Sequence, residues 1–288
     1  MAGAGFLLAS WGSVSVETVS KVVFYALLPC LVFESLVTTP LALVDFGRMA
    51  LYCVVFMTIM GSCARLMAIP MRLERPALVA FMLVVMFSNS ANYGLPVVLF
   101  AFGDEALTHA TVYFITSAIL TYTAGVVIAA SGRRTLAEAA LGLLRVPMLY
   151  GLLAAGIVLG LGVLPPAAVM RPIGLMSDAA LPVMLLVLGM QLQRAQRPEN
   201  PRLVAVSVVM GLLMAPIVAF VLARLMGLAG PAFRAGVLEA SMPAAVSTTI
   251  LALEYDLPAS FVTSVVFVST MVSPLTLTVL IAYLQQAG

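Results

Sequence analysis

The sequence predicts an all-α polytopic membrane protein with about nine transmembrane helices, in two inverted-topology repeats with crossed, broken helices. Three observations predict this class: the composition, the number of long apolar stretches, and a repeated order of motifs. The chain of 288 residues is 63% hydrophobic and 9% charged, with a mean hydropathy of +1.15. Since soluble domains carry about 25% charged residues, the surface of this protein must face lipid.

The transmembrane segments follow from length and punctuation. A helix that crosses a bilayer needs about 20 apolar residues, and nine stretches of about that length are separated by charged residues or by Pro and Gly. The sequence GFLLA before the first of them is too short to be a further span. The nine predicted spans are 17–38, 46–69, 76–103, 106–131, 147–164, 172–193, 202–228, 231–253 and 258–284.

The longest connection is GRRTLAEAALGLLRV at 132–146, and it divides the chain into two halves. Its charged residues and leucines recur at helical spacing, which is typical of a helix that lies along the membrane interface. We therefore predict a first repeat over 1–131, an interfacial connector over 132–146 and a second repeat over 147–288.

The basic residues predict the orientation, because cytoplasmic loops carry an excess of Lys and Arg. Counted by the predicted spans, ten basic residues lie on one side and four on the other. This places the larger set in the cytoplasm and the C-terminus outside. The expected location is the inner (plasma) membrane. The larger set is Lys21, Arg65, Arg72, Arg75, Arg133, Arg134, Arg145, Arg194, Arg197 and Arg202, and the smaller is Arg48, Arg171, Arg224 and Arg234.

The two halves repeat one order of motifs at an offset of about 155 residues. LLPCLVFESL at 27–36 resembles ALPVMLLVLGMQL at 180–192, and CARLMAI at 63–69 resembles LARLMGL at 222–228. Each half then continues with a span interrupted by polar residues and proline. An odd number of crossings separates corresponding spans, so their orientations are opposite, as in the inverted repeats of secondary transporters.

The interrupted span of the first half contains FSNSANYGLP at 87–96. At about 28 residues, 76–103 would be about 42 Å long as a continuous helix, against about 30 Å of hydrocarbon. Pro96 and Gly94 disfavour the helix interior, and Pro243 is the counterpart in the second half. Because broken backbone at membrane depth is tolerated only inside protein or beside a watery cavity, both breaks point to one central place.

Two broken helices with polar residues predict a binding site for an anion. Each half-helix that restarts there offers free N–H groups and the positive end of its dipole to a carboxylate. The candidate substrate-binding residues are Asn89, Ser90, Asn92, Ser247 and Thr248. The alternative is that Pro and the polar residues only kink two packed helices. Two buried asparagines without a use would be costly, which favours the binding hypothesis.

These motifs resemble the auxin efflux carrier family. NSANYGLPVVLFAFGDEAL at 89–107 resembles that family's Asn…Gly-Leu-Pro…Phe-Gly stretch, and SMPAAVSTTILALEYD at 241–256 resembles its Met-Pro-Ala-Ala-Val stretch. FYALLPCLVFESL at 24–36 resembles a third family span. The likeness runs from about residue 16 to the end of the chain. The family includes the plant PIN auxin carriers, and its bacterial members are linked to malate, malonate and other organic anions.

The resemblance implies a fold similar to bile-acid sodium symporters, with ten helices in two inverted five-helix repeats. It implies that the crossover prolines are Pro96 and Pro243 and that the family asparagine is Asn89. The family's first helix is expected to be short or missing here. In similar folds that helix belongs to the scaffold or dimer-forming part. The sequence therefore does not decide between a monomer and a homodimer.

Ionisable residues inside a membrane are expensive and usually functional. Glu239, four residues before Pro243, is predicted to carry H⁺ or Na⁺, with an inert pairing to Arg234 as the alternative. Its position resembles that of the sodium-coordinating glutamate of bile-acid symporters. Glu34 is a second candidate for ion coupling. Asp178 is expected to cap a helix, and GIVLG at 156–160 is expected to pack closely against another helix.

The leading functional hypothesis is a secondary transporter of small organic anions that works by alternating access at the helix crossing. The other hypothesis is a ligand-sensing membrane receptor of the same fold without turnover. An enzyme is not expected, because no Ser/His/Asp set or HExxH motif is present. No cofactor or metal is predicted apart from H⁺ or Na⁺ as coupling ion. The expected partners are a small organic anion and the lipid bilayer, and not nucleic acid.

Overall fold

The computed structural model describes residues 1–11, 14–39, 41–130, 141–192 and 200–286. In these ranges the regular structure is helical, apart from one isolated antiparallel bridge between Ser88 and Ala244. The helices are α1 (Ala2–Trp11), α2 (Val16–Thr38), α3 (Leu43–Met71), α4 (Arg75–Met86), α5 (Ser90–Ala129), α6 (Met148–Leu161), α7 (Ala167–Leu192), α8 (Pro201–Leu225), α9 (Gly230–Ala240), α10 (Ser247–Glu254) and α11 (Ala259–Gln286).

The all-α membrane class is confirmed, since six of the described helices are long and apolar enough to cross a bilayer: α2, α3, α5, α7, α8 and α11. Two of the predicted spans are each divided. The stretch 76–103 becomes α4 and the start of α5, and the stretch 231–253 becomes α9 and α10. Helix α5 is itself interrupted at Gly103, whose φ of 81° and ψ of −172° are not helical.

Local chemistry explains several helix ends. The side chain of Asn200 caps α8 by accepting a hydrogen bond of 3.1 Å from the amide of Leu203, and Pro201 takes the first helical position, where its missing N–H does no harm. Helix α3 ends where Arg72 adopts a left-handed conformation with φ 50°, and α6 ends at Gly162 with φ 66°. Such left-handed residues close the last turn of a helix.

A short N-terminal helix is present. α1 has ten residues, about 15 Å of helix, which is half of the hydrocarbon thickness. It lies against α7 so closely that a Cβ on Gly5 would collide with the backbone of Leu186. The predicted connector 132–146 lies mostly outside the described residues, and its described end forms a 3₁₀ turn at Leu143–Arg145.

The described helices pack into two groups. Helices α1, α2, α6 and α7 pack mainly on one another and form the four-helix group. Helices α3–α5 and α8–α11 form the crossing group, in which α5 packs on α9 and α3 packs on α4 and α5. Most packing between the groups joins α2 and α7 to α5. We call the boundary between α2, α7 and α5 the seam.

The described part of this chain does not supply the close packing expected at GIVLG, because a Cβ added at Gly156 or Gly160 would meet nothing within 4 Å. The close contact of α6 lies about one and a half turns earlier, at Gly151. A Cβ there would lie 3.1 Å from the carbonyl carbon and 3.2 Å from the Cα of Pro29 on α2. The sequence pattern marked small residues correctly, but only the packing decides which of them faces a helix.

Gly151→Ala is therefore expected to lower thermal stability, because two backbones would have to separate to admit the methyl group. Overpacking of this kind costs about 1–3 kcal/mol. The measurement is a thermal melt of the detergent-purified protein. Gly156→Ala is the matched control on the same helix, where the methyl group has room and Ala favours helix. An equal loss in both variants would contradict the assigned contact.

Candidate functional site

The two interrupted helices meet through their extended segments. The amide of Asn89 donates a 2.7 Å hydrogen bond to the carbonyl of Pro243, and the amide of Ala245 donates a 2.9 Å bond to the carbonyl of Phe87. Between these bonds Ser88 and Ala244 form the antiparallel bridge. Each break thus supplies the backbone partners that the other has lost, which allows irregular backbone in the interior of a membrane protein. We call this arrangement the crossing.

The positions of the two prolines differ. Pro243 lies in the crossing itself, where its carbonyl is the acceptor for Asn89. Pro96 lies about two helical turns beyond the break at 87–89, in the first turn of the α-helical part of α5. It follows a π-helical turn at Ser90–Gly94. Pro96 thus lies beside the hydrogen-bonded centre of the crossing and not in it, and its role as the crossover proline of the first repeat stays a prediction.

Asn89 is the residue of the first break whose side chain is left without a partner. It is 4% exposed, and its Nδ2 atom is buried with no hydrogen-bond partner among the described residues. Its backbone conformation, φ −78° and ψ 63°, is outside the helical region. A buried donor that is not used costs about 1–3 kcal/mol. Such a group in a native protein needs an explanation, and a bound ligand that accepts the hydrogen bond would supply one.

Glu239 lies at the end of α9 beside the first break and is fully buried. Neither carboxylate oxygen has a hydrogen-bond partner among the described residues. The inert pairing with Arg234 is therefore not formed. An ionised carboxylate buried without a partner is very costly. A bound proton or a bound cation would remove that cost.

Gly94 explains how the carboxyl of Glu239 fits against α5. A Cβ at Gly94 would lie 2.6 Å from Oε1 and 2.7 Å from the carboxyl carbon of Glu239. Any side chain there would displace the carboxyl, so the glycine of Gly-Leu-Pro provides the space that Glu239 occupies. The hydroxyl of Ser90 also approaches the carboxyl.

The structure adds Ser88 and Tyr113, which sequence reasoning missed. The Ser88 hydroxyl donates to the Glu239 carbonyl at 3.1 Å and lies 3.2 Å from the Ser90 hydroxyl. Tyr113 is fully buried, its hydroxyl has no partner among the described residues, and it lies within electrostatic reach of Glu239. A tyrosine in mid-span was the available signal, since tyrosine usually sits at the membrane interface.

The other predicted binding residues lie near the crossing, but they differ in burial and in their capacity for further hydrogen bonds. Ser90 is buried, and Asn92 is half-buried on the π-helical turn. Ser247 begins α10 and is half-buried. Thr248 is fully buried, but its hydroxyl already donates a 2.6 Å hydrogen bond to the carbonyl of Ala245. Thr248 can therefore accept a further hydrogen bond but has no proton left to donate.

The remaining acidic candidates lie away from the crossing. Glu34 lines a cavity of about 510 Å³ at the seam, together with Asp104 and Asp178. We call it the seam cavity. Asp178 does not cap a helix as expected, because α7 begins at Ala167, three turns earlier. The helix begins so early because it accommodates Pro172 in its interior.

Matches to known proteins cover nearly the whole chain. A family model described as "membrane transport protein" matches residues 1–281. A relative from Methanothermobacter thermautotrophicus, described as an uncharacterized transporter, is 29% identical over 273 residues. That match covers 93% of this chain and 88% of the relative.

Proposed function

The chain belongs to the membrane transport protein family, the auxin efflux carrier family that its motifs indicate, and from this premise we propose a secondary transporter of small organic anions. The substrates would be carboxylates such as malate, malonate or auxin-like acids. The observation that carries the proposal is the unpartnered Nδ2 donor of Asn89 beside two broken helices. A carboxylate oxygen is the acceptor that such a donor lacks.

The crossing also supplies charge for the anion without a basic side chain. The two half-helices that restart there begin at Ser90 and Ser247. Their N-terminal ends carry the positive ends of the helix dipoles. Neutral donors and dipoles bind an anion without burying a full positive charge, so release on the other side of the membrane stays feasible. Ser90, Asn92 and Ser247 would complete the site.

Glu239 is proposed as the coupling residue for H⁺ or Na⁺. The Ser90 hydroxyl approaches the buried Glu239 carboxyl, and Tyr113 lies within electrostatic reach of it. Hydroxyl and carboxylate oxygens are ligands of the kind that hard cations accept. Binding of a cation there would offset the charge of the substrate. The transported pair would then cross the membrane with less net charge than the anion alone.

Alternating access is proposed to occur along the seam. The four-helix group would stay fixed while the crossing group moves against it, with few seam contacts to exchange. The proposed inverted repeats, 1–131 and 147–288, would give the two access states similar geometry. The cytoplasmic side would carry the larger basic set, with the C-terminus outside.

The test is substrate-induced current from the full chain in proteoliposomes on a solid support. Mono- and dicarboxylates are applied with and without Na⁺ and with a pH step, and malonamide serves as the uncharged match for malonate. We expect current for one class of acid, none for the amide, and dependence on one cation. Ligand binding in a thermal-shift assay, without any current and without uptake of radioactive substrate, would instead support the receptor hypothesis.

A further inference from the structure

The seam cavity has a charge that the proposed anion site does not explain. Its lining contains three carboxyl groups, those of Glu34, Asp104 and Asp178, and no Lys, Arg or His. The amino terminus of Met1 is the cationic group among the lining residues. Carboxylates that outnumber cations in a cleft with apolar walls focus a negative potential. The cavity therefore attracts cations.

The three carboxyl groups come from both sides of the seam. On the four-helix side, Oε1 of Glu34 lies 3.0 Å from the position of a Cβ on Gly174, and Asp178 follows Gly174 on the same face of α7 by one turn. On the crossing side, Asp104 begins a new helical segment directly after the break at Gly103.

Hydroxyl contacts tie the two sides together. The Ser35 hydroxyl, next to Glu34 on α2, donates to the hydroxyl of Thr108 at 3.3 Å. Thr108 in turn bonds the carbonyl of Asp104 at 3.2 Å. A ligand held by Asp104 at one end and by Glu34 and Asp178 at the other would span the seam.

The carboxyl groups of the described residues do not form a cluster that could hold one metal ion. Among the described residues no three acidic, His or Cys side chains lie close enough together to hold a metal. The volume of about 510 Å³ is in the range of cavities that hold small organic molecules. Leu99, Leu107 and Leu181 supply apolar wall in the same cavity. Separated carboxylates with aliphatic wall suit separated ammonium groups on a methylene chain.

A second observation points to a ligand. Ser177 lines the seam cavity and is 5% exposed, yet its hydroxyl makes no hydrogen bond within the described part of the chain. A serine in a helix commonly bonds the carbonyl four residues back, and Ser177 does not. Its hydroxyl is free to accept a hydrogen bond from an ammonium group in the cavity.

We propose that the seam cavity binds a linear aliphatic di- or polyamine, with one ammonium group at Asp104 and another at Glu34 and Asp178. Its methylene chain lies along the leucines. Because the amine contacts the four-helix group and the crossing group at once, it stabilises the present arrangement of the seam. This site is separate from the crossing, so it stands whether or not an organic anion is transported.

The test is isothermal titration and thermal melting of the detergent-purified full chain with putrescine and spermidine. Butylamine has one charge, 1,4-butanediol has none, and Mg²⁺ is a compact dication. We expect both polyamines to bind and to raise the melting temperature, and the three comparators to bind at least about tenfold more weakly. Asp104→Asn and Asp178→Asn should each weaken putrescine binding about tenfold.

Glu105→Gln is the matched control, since Glu105 is exposed next to Asp104 but lies outside the cavity lining. It should leave binding unchanged. Asp104 and Asp178 are exposed, so their Asn variants are expected to fold, and Ser177→Ala offers an uncharged second probe with a smaller loss. Equal binding of Mg²⁺ or butylamine, equal loss in Glu105→Gln, or no polyamine binding at all would overturn the proposal.

Discussion

Asn89→Ala is expected to abolish substrate-driven current while leaving the protein as stable as before or more stable. The lost donor would bond a carboxylate, and a hydrogen bond to a charged group contributes about 1.5–3 kcal/mol. This corresponds to a loss of roughly 10- to 150-fold in affinity for the substrate. Since the same donor aids passage through every transport state, we expect the current to fall to the level of empty liposomes.

The free energy of unfolding should stay the same or rise in Asn89→Ala, because Nδ2 of Asn89 has no hydrogen-bond partner among the described residues. Removing a buried donor that makes no hydrogen bond removes a desolvation penalty. The backbone bond from Asn89 to Pro243 does not depend on the side chain, so the crossing should persist. Thermal melting in detergent and current in proteoliposomes measure the two effects.

Ser88→Ala is the control for general damage at the crossing. Its hydroxyl makes hydrogen bonds to the Glu239 carbonyl and the Ser90 hydroxyl, so this variant should lose about 1 kcal/mol of stability. Asn89→Asp, which keeps the shape but replaces the donor by an acceptor, should be as inactive as Asn89→Ala. Wild-type current in Asn89→Ala would remove Asn89 from the substrate site.

Glu239→Gln is expected to remove the dependence of transport on the coupling cation. The amide resembles the protonated carboxyl in shape, but it can neither release a proton nor balance a bound cation. Net uptake driven by a pH step or a Na⁺ gradient should fall at least about tenfold. Exchange of substrate across the membrane, which needs no net cation movement, should continue. Thermal stability should not fall, because no charge remains to be buried.

The matched control is Glu254→Gln, at the end of α10 in the same interrupted pair of helices. Glu254 is exposed, so its neutralisation should alter neither the current nor its cation dependence. Radioactive substrate uptake and counterflow in one set of proteoliposomes separate net transport from exchange. If Glu239→Gln kept full cation-driven uptake, the coupling site would have to lie elsewhere, and Glu34 would be the next residue to replace.

Much of this architecture could be predicted from local sequence. The apolar stretches gave the membrane class, and the motif FSNSANYGLP with its counterpart at Pro243 located both interrupted spans. Asn89 and Glu239 were identified because polar groups in a span are expensive. These are properties of a residue and its immediate neighbours, and bilayer thickness and helix geometry translate them directly into structure.

The rest was decided by contacts between residues far apart in the chain. The bridge from Ser88 to Ala244 fixed the crossing two turns before Pro96, and Gly94 received its role from the carboxyl of Glu239. Glu34, Asp104 and Asp178 entered one cavity although they come from three separate helices. Sequence by itself determined which segments are apolar, where they break and which polar groups they carry. Only the tertiary structure decided which of those groups meet, because packing brings together side chains whose separation along the chain leaves no periodic trace.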